Sequence, residues 1–409
     1  MSVGPYADTC REVRMAEGRI PTELREVSIR PAKPVPLLLT VRELHYGGIQ
    51  QDVTKIALRL DRSRFKPHVA AYQTDGIRVE ELEREGVPVL HIPMLSLKSP
   101  TAFTAAIRMR RYVREHGIRV VHAFDTSAVF VVPVARALRV PAVLSSTLGN
   151  RKLLDRRSHR QMRWTDRMVD TVVVNCEAMR RHLIDDEHVP GDRIELCYNG
   201  VVTTQFFPAE TARPDALLKA SLVIGTVCVL RPEKALTLLQ EAFSQVLHLD
   251  PNMRLVFVGS GPLLSDLQEN ATRLGIAHAN IFIPATRDVP TWMRSMDIFV
   301  LPSYSEAFSN SLLEAMACGC SVVGSRVGGT PELIGSNGER GFVFNSGDVA
   351  DLASKLSKLI RDKDLRRNLA NLAAKYVREN LTIEIAAERT AAIYEMVLRR
   401  KTVRQVQSA

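Results

Sequence analysis

An α/β protein with two Rossmann-like domains facing a cleft is predicted by three observations. Apolar runs alternate with amphipathic helical segments from Leu37 onward, the alternation restarts after Gly200, and 409 residues with 45% hydrophobic content suffice for two separate cores. Strands separated by helices imply parallel sheets covered on both faces. Repetition of that architecture without a fixed sequence period implies two such sheets.

Residues 1–34 carry no pattern strong enough to bury a face, and Pro31, Pro34 and Pro36 punctuate their end, so a partly disordered leader is expected there. A first domain is expected over 35–200. Its strands are LLLTV, HVAAY, VPVLHI, VVHAF, AVLSS and TVVVN, with helices near 49–60, 101–116, 126–139 and 177–187. A second is expected over 201–382, with strands VIGTVCVL, RLVFVG, IFIPA, IFVLP, SVVGSRV and the short GFVF, and helices near 234–248, 263–274, 288–295 and 309–318. Charged helical runs over Val349–Arg361, Asp364–Glu379 and Ile383–Arg400 finish the chain.

The longest apolar stretch, Ala128–Ala135, is too short to cross a bilayer and contains Pro133, and the N-terminus lacks an apolar signal core. A cytoplasmic protein is expected. Six cysteines, at 10, 176, 197, 228, 318 and 320, form no CxxC pair, and no histidines stand at zinc spacing. Buried free thiols are expected rather than disulfides or metal ligands. The net charge of +10 favours anionic partners. Nucleic acid is not expected, because no helix-turn-helix, zinc-finger or aromatic-basic motif accompanies the charge.

The segment Ser303–Leu333 carries the most chemistry. Ile298–Leu301 reads as a buried strand stopped by Pro302, and Leu312, Leu313, Ala315 and Met316 read as a helix packed on a sheet. Ser309–Ser311 stand near the start of that helix. The backbone N–H groups of Phe308, Ser309, Asn310 and Ser311, with the positive end of the helix dipole, then face an anion such as a diphosphate. Glu306 lies in the preceding loop and Glu314 about two turns into the helix, so the two carboxylates are expected to do different jobs.

This segment resembles the donor-site signature of the retaining GT-B glycosyltransferases of family 4. Their Glu-x7-Glu motif matches Glu306 and Glu314, and their following Gly-Gly loop matches Gly328, Gly329 and Glu332. Further similarities occur in the right order. Gly47 and Gly48 resemble the N-terminal Gly-Gly loop beside the donor diphosphate. Lys234 falls on the family lysine, whereas Val229 stands where the family has arginine and Ala235 where it has glycine; Arg231 is the candidate replacement cation. Gly259-Ser260-Gly261-Pro262 resembles the turn that approaches the nucleotide, and Asn199-Gly200-Val201 the inter-domain hinge, with Val202 in place of the usual aspartate. His122 resembles the first histidine of His-x-His, but Phe124 replaces the second; His122 and Asp125 are candidates to touch sugar or acceptor.

The resemblance implies transfer of a sugar from a nucleotide-diphosphate sugar to an acceptor hydroxyl, with retention and with neither cofactor nor metal. Lys234, Arg231 and the N–H groups of Phe308–Ser311 would stabilise the leaving diphosphate, Glu314 would bind the ribose, and Glu306 would lie near the transferred sugar. The final helix and tail, 383–409, would cross back to the first domain. Asp362-Lys363-Asp364 is the one Asp-x-Asp match and is read as a helix junction capped by Asp364, not as a metal site. The implied acceptor is a sugar, a lipid-linked sugar or a polysaccharide of the cell envelope. The basic run of Arg151, Lys152, Arg156, Arg157, Arg160, Arg163 and Arg167, interleaved with Leu153, Leu154, Met162 and Trp164, adds an anionic membrane surface as a partner and a peripheral site on the inner face of the cell membrane. Two other classes compete. A glycoside hydrolase would need two carboxylates flanking the bond. A non-catalytic protein of this fold would bind nucleotide sugar or membrane without turnover.

Overall fold

The computed structural model describes residues 33–407 except 46, 95, 150, 152, 153, 210–212, 336 and 337, so nearly all of the expected leader lies outside the described residues. Lys33–Ala409 form one compact unit built on two sheets. The first half runs β1 (Val35–Glu43), α1 (Gly48–Arg59), β2 (Phe65–Gln73), α2 (Ile77–Arg84), β3 (Val89–His91), α3 (Thr101–Glu115), β4 (Val120–Phe124), α4 (Ala128–Ala137), β5 (Ala142–Thr147), α5 (Arg156–Met168), β6 (Thr171–Val174), α6 (Glu177–Asp185) and β7 (Ile194–Leu196). The second runs β8 (Val223–Val227), α7 (Leu236–Val246), β9 (Arg254–Val258), α8 (Leu264–Arg273), β10 (Asn280–Ile283), α9 (Val289–Arg294), β11 (Ile298–Leu301), α10 (Asn310–Ala317), β12 (Ser321–Ser325), α11 (Thr330–Ile334) and β13 (Phe342–Phe344). Helices α12 (Val349–Arg361), α13 (Lys363–Asn380) and α14 (Ile383–Gln407) follow.

Strand order is β3-β2-β1-β4-β5-β6-β7 in one sheet and β10-β9-β8-β11-β12-β13 in the other, with every pairing parallel. Because side chains alternate along a strand, Leu38 of β1 joins one core while Leu37 and Leu39 join another on the opposite face. The Leu38 core continues through Val172 and Phe206 to Phe299, Leu312 and Leu313 of the second half. The Leu37 core is closed by α1 and by Ile383, Ala387, Ile393, Tyr394 and Val397 of α14, so the last helix packs on the first sheet.

The chain passes between the halves twice, side by side. Val201 bridges Thr382 in parallel, with Val201 N–H donating to Leu381 O at 2.9 Å and Ile383 N–H to Val201 O at 2.9 Å. Gly200 is required here, since a Cβ would lie 2.5 Å from Ile383 Cα. Val202, in the place of the usual aspartate, is buried in the Leu37 core, where an apolar side chain suits the packing.

Several local expectations change. The short elements α2, β7 and α11 carry too few buried side chains for a periodic signal; α2 buries only Leu82. Helix α10 begins one residue after its cap Ser309, which places Glu314 one turn into the helix rather than two. Asp362, not Asp364, caps α13, accepting from Leu365 N–H at 2.8 Å. The described cysteines are free: Cys176, Cys318 and Cys320 are buried, Cys197 and Cys228 half-buried. No helix among the described residues is long and apolar enough to cross a membrane. Arg151 does not belong to an outward basic face. It is 1% exposed, forms bonds of 2.5 and 3.0 Å to Asp166, and donates to Thr147 Oγ1 at 2.8 Å, so its charge is satisfied inside. Arg163 pairs with buried Glu187 at 3.4 Å. Lys152 and Leu153 lie outside the described residues.

Candidate active site

The site lies at the carboxyl ends of the second sheet's strands, where an open parallel sheet offers its loops. Beyond β8 the chain forms a 3₁₀ turn, Pro232–Lys234, and Ala235 takes the left-handed conformation at φ 49°, ψ 43°. Tyr304 N–H donates to Glu233 O at 2.8 Å, tying this turn to the loop after β11. Lys234 Nζ thereby reaches Glu306 Oε1 at 2.6 Å, and Ser303 Oγ donates to the same oxygen at 2.7 Å. Burial opposes the Lys234 charge, but the Glu306 carboxylate more than offsets it and holds the ammonium above its ordinary pKa. Arg231 is exposed at the start of the turn, and no described side chain holds it against the Lys234–Glu306 pair.

The two glycines after β12 are demanded by close backbone approach. Gly328, at φ 49°, lies where a Cβ would sit 2.1 Å from Glu306 O, and Gly329 N–H donates to Ala307 O at 2.6 Å. Glu332 reaches the first half, accepting from the N–H groups of Glu177 and Ala178 at 2.9 and 2.8 Å and from the Tyr198 hydroxyl at 3.3 Å. It caps α6.

Helix α10 presents its first turn in front of these loops. Ser309 Oγ accepts from Leu312 N–H at 3.3 Å and Ser309 O from Leu313 N–H at 3.1 Å. No protein acceptor among the described residues takes the N–H groups of Phe308, Ser309, Asn310 or Ser311, so four donors stand free of the protein at the positive end of the helix dipole. The Gly47–Gly48 loop of the first half meets this turn, with Asn310 Nδ2 donating to Gly48 O at 3.3 Å. Glu314 is 5% exposed. Its Oε1 receives Gln51 Nε2 at 2.8 Å and lies 3.5 Å from Lys55 Nζ, while its Oε2 has no protein partner among the described residues.

Residues 209–376 match the model of the glycosyl transferases group 1, and residues 47–200 match that of the glycosyl transferase 4-like domain. A GDP-mannose-dependent alpha-(1-6)-phosphatidylinositol monomannoside mannosyltransferase of Mycolicibacterium smegmatis is 30% identical over 306 residues, which cover 69% of this chain and 77% of that protein. The chain belongs to the group 1 glycosyltransferases. N-acetyl-alpha-D-glucosaminyl L-malate synthase of Bacillus anthracis is 27% identical over 228 residues, covering 54% of this chain. The matches span 59%, 42% and 53% of the lengths of three curated relatives, this synthase first among them. In fold, HepE of Anabaena, solved in complex with UDP and glucose, superposes with a TM-score of 0.79 at 20% identity, over 88% of this chain and 100% of HepE. The fold is GT-B.

Three further candidates of this group 1 glycosyltransferase are described by their local packing. His122 is corrected to a structural residue: it is 2% exposed, with Nδ1 2.8 Å from the Tyr394 hydroxyl and Nε2 2.8 Å from Ser146 Oγ. Both ring nitrogens are used, and burial lowers its pKa to about 3, so the imidazole is neutral and unavailable to a sugar. Asp125 follows it in a left-handed conformation at φ 50°, and burial raises its carboxyl pKa. Gly259 is explained by packing. At φ 144° its Cβ would lie 1.9 Å from Cys228 O, so the strand ends themselves require glycine. The reading of the sequence missed Gln51, Asp52 and Lys55 on α1, and it gave Asn199 only a hinge role. Their signal, polar residues on an amphipathic helix beside a glycine loop, is the same as that of a solvated face.

Proposed function

We propose that the protein transfers a sugar from a nucleotide-diphosphate donor to an acceptor hydroxyl with net retention and without a metal ion. The carrying observation is the Lys234–Glu306 ion pair beside a helix turn whose N–H groups have no protein acceptor among the described residues. Negative charge grows on the diphosphate as the glycosidic bond breaks, so preorganised positive groups lower the barrier more than they strengthen ground-state binding. Glu306, fixed by Ser303, keeps Lys234 protonated and in place. The Oε2 of Glu314, without a partner among the described residues, suits the ribose hydroxyls. By the family pattern a donor phosphate oxygen takes the acceptor proton, which leaves no general base for the protein to supply. A nucleotide-sugar donor is supported by the UDP and glucose bound to HepE, and a lipid-linked acceptor by the name of the mycobacterial relative.

Thermal shift against a panel of nucleotide sugars identifies the donor, since a ligand stabilises by RT ln(1 + [L]/Kd). Lys234→Ala is then expected to reduce kcat by more than it raises the donor Kd, and activity to survive EDTA. Equal losses in both constants, or activity restored only by magnesium or manganese after chelation, would overturn this mechanism.

We also propose that the enzyme works at an anionic membrane face, through α3 as well as the 151–167 segment, where Trp164 is 53% exposed among exposed Arg156, Arg157, Arg160 and Arg167. Phe103 is 71% exposed and Ile107 51% exposed on the outer side of α3, among exposed Arg108, Arg110, Arg111 and Arg114. Apolar side chains ringed by cations suit an interfacial helix on anionic lipid.

A further inference from the structure

The two halves of the molecule are fastened at the front of the donor site by a group that the mechanism above does not use. Asp52 lies on α1, buried, one helical position from Gln51. Asn310, in the first turn of α10, donates through Nδ2 to Asp52 Oδ1 at 2.9 Å, and Asn199, at the crossing between the halves, donates to Asp52 Oδ2 at 3.1 Å. Asn199 Nδ2 also reaches Asn310 Oδ1 at 3.0 Å. Three segments therefore converge on one carboxylate: the helix after the Gly47–Gly48 loop, the inter-domain crossing and the first turn of α10. Lys55, one turn along α1, donates to Gly200 O at 3.3 Å and strengthens the same junction.

We propose that Asp52 is a positioning residue for donor binding: as a carboxylate accepting from both Asn310 and Asn199, it holds the first turn of α10 against the Gly47–Gly48 loop. The proposal rests on the reading of this cleft as the donor site. The chemistry is one of acceptors. Two amide donors aim at two carboxylate oxygens, so protonating Asp52, or replacing it by Asn, sets a donor against a donor and removes one strap. The charged groups that act on Asp52 are Lys55 of its own helix, Glu314 of α10 and Arg78 of α2. Burial outweighs the cations and raises its pKa to about 6, which places the switch between strapped and unstrapped states near neutral pH. The sign follows: above about pH 6 the carboxylate is ionised and both straps hold, whereas below it the strap weakens and donor binding falls.

Asp52→Asn and, as an independent removal of the same bond, Asn310→Ala are compared with the wild type in three measurements. In wild type, kcat/KM for the donor is expected to fall on the acid side with an apparent pKa near 6. In Asp52→Asn that limb is lost and the donor KM rises roughly tenfold or more, as for a hydrogen bond to a charged group, with kcat less affected. Amide hydrogen exchange of the ligand-free protein quickens over Ser311–Leu313 and α1 in both variants. Unchanged exchange together with a retained acid limb in Asp52→Asn overturns the proposal. Failure of the donor reading looks different: wild type then binds no nucleotide sugar at all, while the exchange measurement still decides whether Asp52 straps the halves together.

Discussion

Ala235 shows how a single departure from a family pattern takes on physical meaning only in the structure. The sequence shows alanine where related chains have glycine; the structure shows that this residue sits at φ 49°, ψ 43°, between the Lys234 turn and α7. A left-handed residue with a Cβ costs about 1–2 kcal/mol, part of which glycine returns as greater freedom in the unfolded chain. Ala235→Gly is therefore expected to stabilise the fold by roughly 0.5–1 kcal/mol, read as a higher urea midpoint at unchanged m-value. A lower midpoint would mean that the alanine methyl, which is buried, contributes more packing than its backbone costs. The glutamates divide differently. Glu306 and Glu314 were legible from their spacing and neighbours, but that Glu314 would share one oxygen between Gln51 and Lys55 was not. The hydrogen bond from Gln51 links residues 263 positions apart, and nothing local in either segment marks it.

Elements were easier to read than their faces. Helix α10 announces itself through a serine cap and the apolar set Leu312, Leu313, Ala315 and Met316, and its strand through IFVL, so the core of the second half was legible. Helix α1 was legible as a helix, but its polar side reads as solvent-facing until the second half is brought against it. For the 151–167 segment the sequence located the charge but not the direction of each arginine, because charge counts do not distinguish an inward Arg151 from outward Arg156, Arg157, Arg160 and Arg167. The structure assigns the exposed apolar pair to α3. Burying Phe103 and Ile107 in a lipid interface would contribute about 1.5–3 kcal/mol each, and each nearby arginine about 1 kcal/mol. The two contributions are of similar size, so neither salt nor an apolar substitution alone should abolish binding. Phe103→Ser with Ile107→Ser is expected to weaken sedimentation with anionic vesicles at least tenfold in low salt while leaving the urea midpoint unchanged. Wild-type recovery in the supernatant with anionic and neutral vesicles alike would assign a soluble acceptor and reduce the arginines to surface charge.

For the whole molecule, the halves are not separable where the sequence changes from one α/β series to the next. Cutting at the 200–201 junction leaves the first sheet without α14, although that helix is contributed by the last residues of the chain. Ile383, Ile393, Tyr394 and Val397 are all buried in the Leu37 core, and Tyr394 holds His122 through its hydroxyl. At about 1.5–3 kcal/mol for each large apolar side chain, uncovering these four costs roughly 6–12 kcal/mol. That equals most of the 5–15 kcal/mol by which a typical domain is stable. Leaving His122 Nδ1 buried without its partner adds about 1–3 kcal/mol. A fragment of residues 33–200 is therefore expected to lack a cooperative urea transition, and the same fragment joined by a flexible linker to residues 383–407 to regain one. The bridge between Val201 and Thr382 favours this arrangement, because it already brings the two crossing points together. Circular dichroism at 222 nm through a urea titration distinguishes the cases. Identical cooperative transitions in both proteins would show that the first sheet closes its own core and that α14 is only a strap across it.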